Sequence, residues 1–162
     1  MEEQMLGAVA AQRERLAEEL RAYGASFTEL GRRFATVLGV HATDAFALLE
    51  IASAEERGAP LSPALLSKRI SLSLGAMSAL LNRLEQAGHI TRTREHADRR
   101  IVTLRSCGHV GKLAGEFFGP VNGRQDAILS QYPPELLRQF ETFLTQLRTS
   151  LEAELAQQGR DA

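Results

Sequence analysis

Residues 88–100, Gly-His-Ile-Thr-Arg-Thr-Arg-Glu-His-Ala-Asp-Arg-Arg, place four arginines, two histidines and two acids in thirteen positions. A guanidinium is planar, permanently charged and donates in a fork that fits phosphate oxygens, so the chemistry on offer is anion recognition. The surrounding charge points the same way. Residues 62–105 hold eight Lys/Arg against three Asp/Glu, a net of +5, while the remaining residues hold 11 against 17, a net of −6. A chain of formal net charge −1 thus carries one basic segment on an acidic remainder, the charge footprint of a nucleic-acid-binding module. Asp98 stands directly before Arg99 and Arg100. Such a carboxylate either dilutes their charge or holds one guanidinium in a fixed orientation. Neighbouring residues of an extended chain face opposite ways, so the two arginines have different roles.

Other chemistry is poorly supported. No G-x-S-x-G, glycine-rich phosphate loop or paired His/Glu metal pattern occurs, and Ser106 and His109 lack an orienting acid, so no catalytic residue and no cofactor is expected. Cys107-Gly-His109 resembles half a metal site, but no second pair stands at a zinc-like spacing, so no metal is expected. The single Cys107 allows no intrachain disulfide and suits a reducing compartment. It reads better as a small apolar residue than as a redox sensor. No run of about 18 apolar residues is present, and the acidic, polar start "MEEQMLGAVAAQRERL" is unlike a signal peptide. The expectation is a cytoplasmic protein without a membrane partner.

The elements that would position the basic segment follow from periodicity. Leu6, Val9, Leu16, Leu20, Tyr23, Phe27, Leu30, Phe34 and Val37 recur at three- and four-residue steps, with Arg13 the one polar interruption, predicting one helix over 3–38, kinked near Gly24. A second helix starts with Thr43 as N-cap and Asp44 in its first turn, turns Phe46, Leu49 and Ala52 inward, and ends near Gly58. "APL" at 59–61 is extended. Ser62 caps a short third helix with Pro63 in its first position, ending near Ile70. Ser73 caps a fourth, closed by Gly88. "HITRTR" (89–94) and "RIVTLR" (100–105) read as strands around the turn "EHAD". Helix then returns, with Gly119-Pro120 expected to kink it and "YPP" at 132–134 ending it. A last helix carries the stripe Leu137, Phe140, Leu144, Leu147, Leu151 and Leu155. Apolar stripes at both ends of the chain exceed what the module between them covers, which calls for a second copy.

Two short helices, a tight connection and a hairpin with a basic tip make a winged helix-turn-helix. The fourth helix turns Met77, Leu80, Leu81 and Leu84 inward and Gly75, Ser78, Ala79, Asn82 and Arg83 outward. Small outward residues let a helix backbone approach the major groove closely, and its N-terminal amides favour phosphate. An arginine at the hairpin tip can enter the minor groove, where the potential is most negative.

The segment "LSLGAMSALLNRLEQAGHITRTREHADRRIVTLR" resembles the recognition helix and wing of MarR-type transcriptional regulators. The family pattern is a small-rich helix, then R-L-E-x-x-G-x-I-x-R, five residues and D-R-R. Arg83-Leu84-Glu85, Gly88, Ile90, Arg92 and Asp98-Arg99-Arg100 occupy those positions. The resemblance implies a mainly α fold with a small β-hairpin wing. It implies one MarR-type domain over 1–162, with the DNA-binding module at 40–105 and dimerisation helices at 1–39 and 106–162. The implied function is a homodimeric repressor on a pseudo-palindromic operator in double-stranded DNA, released by a small aromatic or phenolic effector. The residues assigned to DNA are Ser73, Leu74, Gly75, Ser78, Ala79, Asn82, Arg83, Arg94, Arg99 and Arg100, with Asp98 orienting the wing. An effector pocket would involve Phe34, His41, Phe46 and Phe117. The chain departs from the pattern at His89, where an aliphatic residue is usual, at His96, at Ala79, and in "RSCGHVGK" after the wing. The alternative is a winged helix that contacts only protein, which has no need of the Asp98-Arg99-Arg100 tip.

Overall fold

Three glycines in the left-handed region, Gly39, Gly58 and Gly88, punctuate the helices of the first unit. Gly39 (φ 69°) and Gly88 (φ 75°) follow the first and fourth helices, where a residue without Cβ adopts this conformation at least cost. A computed structural model describes residues 2–158, with side chains from residue 5. The order is α1 (Glu2–Leu38), α2 (Ala42–Glu56), α3 (Pro63–Arg69), α4 (Leu74–Gln86), β1 (Ile90–Thr93), β2 (Thr103–Ser106), α5 (Gly108–Leu129) and α6 (Pro134–Gln158). The fold is mainly α with a two-stranded antiparallel hairpin, as the sequence implies. It separates into two units, one ending at Phe117 and one beginning at Phe118.

In the first unit, α2 packs against α1, α3, α4 and β2. Its buried residues are Asp44, Ala45, Ala47, Leu48, Ile51, Ala52 and Ala54. Ala52 faces inward as expected, but the expected inward placement of Phe46 and Leu49 is corrected. A helix with neighbours on several sides has no single inward stripe, and Phe46 and Leu49 are only half-buried. The start of α2 is also corrected. His41, not Thr43, is the N-cap residue, and it caps without a side-chain hydrogen bond. Its carbonyl accepts from the Ala45 amide at 3.0 Å, because the Gly39 turn brings the chain into helix within two residues. Ser62 and Ser73 cap α3 and α4 as expected, accepting from the Leu65 and Ala76 amides. Leu48, Ile51, Leu66, Met77, Leu80, Leu81, Leu84, Ile90, Leu104 and Val110 form the core beneath them.

The hairpin pairs Ile90 with Ser106, Thr91 with Arg105, Arg92 with Leu104 and Thr93 with Thr103. Its second strand begins three residues later than the sequence suggests. Asp98 is the reason: its Oδ1 accepts from the Arg100 amide at 3.0 Å and its carbonyl from the Ile101 amide at 3.0 Å, winding residues 98–101 into a turn. The extended Leu61 accepts from the Leu104 amide at 2.8 Å, on the flank of β2. Helix α1 runs through Gly24 without a break, and α5 runs through Pro120. In the second unit, α6 has no buried residue, and Leu144, Leu147, Leu151 and Leu155 are exposed. Leu6, Val9, Leu16, Phe27 and Val37 of α1 are exposed as well. Among the described residues, no single helix is long and apolar enough to cross a membrane.

Leu84 is fully buried and faces the core from α4. Leu84→Ala is expected to cost about 2–5 kcal/mol of stability, from lost transfer energy and a residual cavity. Urea unfolding monitored by circular dichroism measures this, with the midpoint falling and the slope unchanged.

Candidate nucleic-acid interface

Helix α4 is held from one side. Met77, Leu80, Leu81 and Leu84 are at most 2 % exposed, while Ser73, Leu74, Gly75, Ser78, Ala79, Asn82 and Arg83 all lie on the surface. A Cβ added at Gly75 would meet nothing in the chain. Internal packing therefore does not require this glycine, and the space it leaves opens outward.

Two polar ties fix the helix further and a third fixes the wing, none of them read from the sequence. The first joins Arg83 to Asp44 of α2, Nη2 to Oδ1 at 2.7 Å and Nε to Oδ2 at 3.0 Å. Asp44 is buried, and the forked pair supplies its charge partner. The Asp44 hydrogen bond raises the Arg83 pKa further above its ordinary value. Arg83 thus has an internal task besides the DNA contact expected of it. The second tie comes from Arg92 of β1, which donates to Glu85 Oε2 and to Asn82 Oδ1, each at 2.9 Å. The third lies at the base of the wing. Arg105 bonds Glu95 and Glu55, and Glu55 also accepts from the Ser106 amide at 3.0 Å and hydroxyl at 2.7 Å. Burial alone pushes the Glu55 carboxyl up, but hydrogen bonds from Ser106 and Arg105 outweigh it and hold the pKa below the ordinary value. Hydrogen bonds from Arg105 and Thr93 bring Glu95 down to about 2.

The wing tip gathers three further arginines. Arg94, Arg99 and Arg100 are all exposed. Arg94 Nη1 donates to the Arg99 carbonyl at 2.6 Å, bracing the tip across its loop. Asp98 lies 3.7 Å from Arg100 Nε, so Arg100 is the arginine it approaches, but its closer bond is to the Arg100 backbone. Arg99 enters no ion pair among the described residues. The phenylalanines assigned to a pocket divide. Phe34 and Phe117 pack together, ring centroids 5.2 Å apart, while Phe46 lies against Gly31. His41 lines a cleft of about 330 Å³ with Gly39, Val40, Asp44, Arg83, Leu84 and Ala87. Among the described residues, no cluster of three or more His, Cys, Asp or Glu side chains could hold a metal ion.

The sequence comparisons match this geometry. The family model of the MarR family matches residues 38–101, from the end of α1 to the wing. Over this segment the chain is similar to the MarR family. It is 29% identical over 121 residues to the uncharacterized HTH-type transcriptional regulator YcgE of Bacillus subtilis, covering 75% of this chain and 76% of that one. Among solved structures, a MepR point mutant from a multidrug-resistant S. aureus clinical isolate superposes with TM-score 0.66 at 18% identity, covering 84% of this chain and 96% of that chain. The S. aureus MepR–DNA complex superposes with TM-score 0.53 at 18% identity, covering 83% of this chain and 98% of that chain. At these identities the likeness is one of fold.

A histidine pair joins the turn after α4 to the start of α5. His89 Nδ1 lies 3.0 Å from His109 Nε2. Such a bond needs one ring nitrogen without a proton. Burial, then the His109 charge, lowers the His89 pKa from its ordinary 6.5. The unfolded chain therefore takes up a proton that the fold resists. The stabilising contribution is complete above pH 6.5 and is lost as the pH falls below that value. The melting temperature is expected to drop on acidification through this window, and His89→Leu is expected to flatten the drop in a pH series of thermal melts.

Proposed function

We propose that the protein is a homodimeric repressor that acts in the cytoplasm on a pseudo-palindromic DNA operator. The observation that carries this reading is the open outer face of α4, small at Gly75, Ser78 and Ala79, beside a wing whose tip presents Arg94, Arg99 and Arg100. The first enters a major groove; the second reaches the flanking minor groove. Residues 40–105 form the DNA-binding module, and the outer segments 1–39 and 106–162 pair two copies. Exposed leucines on α6 and the exposed stripe of α1 support that pairing, since apolar faces of this extent gain by burial against a partner. A two-fold dimer carries its recognition helices about one DNA turn apart. The MepR–DNA complex supports DNA as the partner of this fold.

Release by a small aromatic or phenolic effector belongs to the same proposal. The cleft beside His41 is lined by both members of the Asp44–Arg83 pair, which ties α4 to α2. A ligand there couples to DNA affinity by favouring one arrangement of that tie over another.

Fluorescence anisotropy with labelled duplex is the test. Binding of two chains per duplex is expected, with affinity falling steeply as salt rises because phosphate contacts release counterions. Ser78→Glu places an acid on the outer face and is expected to weaken binding at least tenfold, roughly the cost of one lost or repelled contact. Gly75→Ala is expected to leave stability unchanged or raise it by up to about 1 kcal/mol, yet to weaken binding because the added methyl group occupies the approach. Wild-type protein that ignores duplex at low salt would leave the protein-contact alternative standing.

A further inference from the structure

The outermost line of α4 runs Gly75, Ala79, Asn82, Gln86, at helical spacings of four, three and four. The first two side chains offer no hydrogen-bonding group. Asn82 is thus the first residue on this line that can exchange a hydrogen bond with a base edge. Its amide has two ends of opposite character, an accepting carbonyl and a donating NH2, and a free asparagine side chain can present either.

In this chain the amide is not free. Arg92 Nη2 lies 2.9 Å from Asn82 Oδ1. A guanidinium only donates, so the end that meets it must be the carbonyl; the alternative orientation would set two donors against each other. Arg92 is itself fixed, because its Nη1 donates to Glu85 Oε2 at 2.9 Å, one turn further along α4. Its side chain is 29 % exposed, the more sheltered partner of that ion pair. The wing strand β1 thereby determines which end of an asparagine on the neighbouring helix faces outward.

We propose that Arg92 is a positioning residue for sequence recognition: it turns Asn82 so that the amide nitrogen, a donor, is the group offered to the DNA. A donor there selects acceptors in the major groove, namely purine N7, guanine O6 or thymine O4, and rejects the amino group of cytosine. The inference rests on the reading that α4 enters the major groove. It adds a direction of base preference and a residue, away from the groove-facing surface, that imposes it.

The experiment is selection of bound sequences from a randomised duplex pool, run in parallel on wild-type protein, Arg92→Met and Asn82→Ala. Wild type is expected to disfavour cytosine about fivefold at one position per half-site, roughly what one neutral hydrogen bond is worth. Arg92→Met is expected to abolish that preference while the rest of the selected motif persists, because the released amide rotates to suit either base. Asn82→Ala, an exposed helical substitution that does not threaten folding, is expected to erase the preference at the same position. If Arg92 only fastens the wing, Arg92→Met weakens binding to all sequences and leaves the position-specific preference intact; that overturns the inference while DNA binding stands. An unchanged motif for Asn82→Ala overturns it equally. A wild-type protein that retains no duplex removes the inference together with the reading beneath it.

Discussion

Helix α4 has to be anchored through one side only, and the other features of the first unit serve that constraint. A helix that reads a groove must expose backbone and small side chains, so it cannot be held from all round. Here Met77, Leu80, Leu81 and Leu84 lock the inner side into the core. Polar ties then fix rotation and slide, which apolar packing alone leaves loosely set. Arg83 reaches back to the buried Asp44, and Arg92 reaches across from β1 to Glu85 and Asn82. The ties attach at Asn82, Arg83 and Glu85, in the C-terminal half of the helix, so the outer line is left bare at Gly75 and Ala79.

The wing follows the same logic at its own scale. Its base is closed by Arg105 with Glu55 and Glu95, where each carboxylate has a lowered pKa and stays charged. Its tip is shaped by Asp98, whose bonds to the Arg100 and Ile101 amides curl residues 98–101. The acid beside two arginines therefore works first on the backbone and only loosely on the Arg100 side chain. A basic tip thus gains from a carboxylate, because the acid sets the turn that carries Arg99 and Arg100.

Much of this was legible in the sequence where local chemistry decides the outcome. Ser62-Pro63 and Ser73 announce their helices, Gly88 ends α4, and the four inward residues of α4 follow from its period. The Arg83-Leu84-Glu85 to Asp98-Arg99-Arg100 spacing was enough to suggest the family. Contacts distant in sequence were not legible. Asp44 reads as an ordinary first-turn acid, and nothing local reveals that Arg83, 39 positions later, is its partner. Glu55 with Arg105 and His89 with His109 are hidden for the same reason. Of the expected inner face of α2 only Ala52 is buried, because a helix with several neighbours buries more than one stripe. The late start of β2 was missed because the Asp98 turn consumes residues that alternate like a strand.

The central claim is that one surface, the outer face of α4 with the wing tip, meets DNA. Hydrogen–deuterium exchange of the protein with and without a short duplex at low salt tests it most directly. Slowed exchange is expected in the peptides covering residues 73–83 and 94–100, with α6 unchanged by the duplex. Protection confined to α6, or exchange that no duplex alters under conditions where binding is saturated, would contradict it.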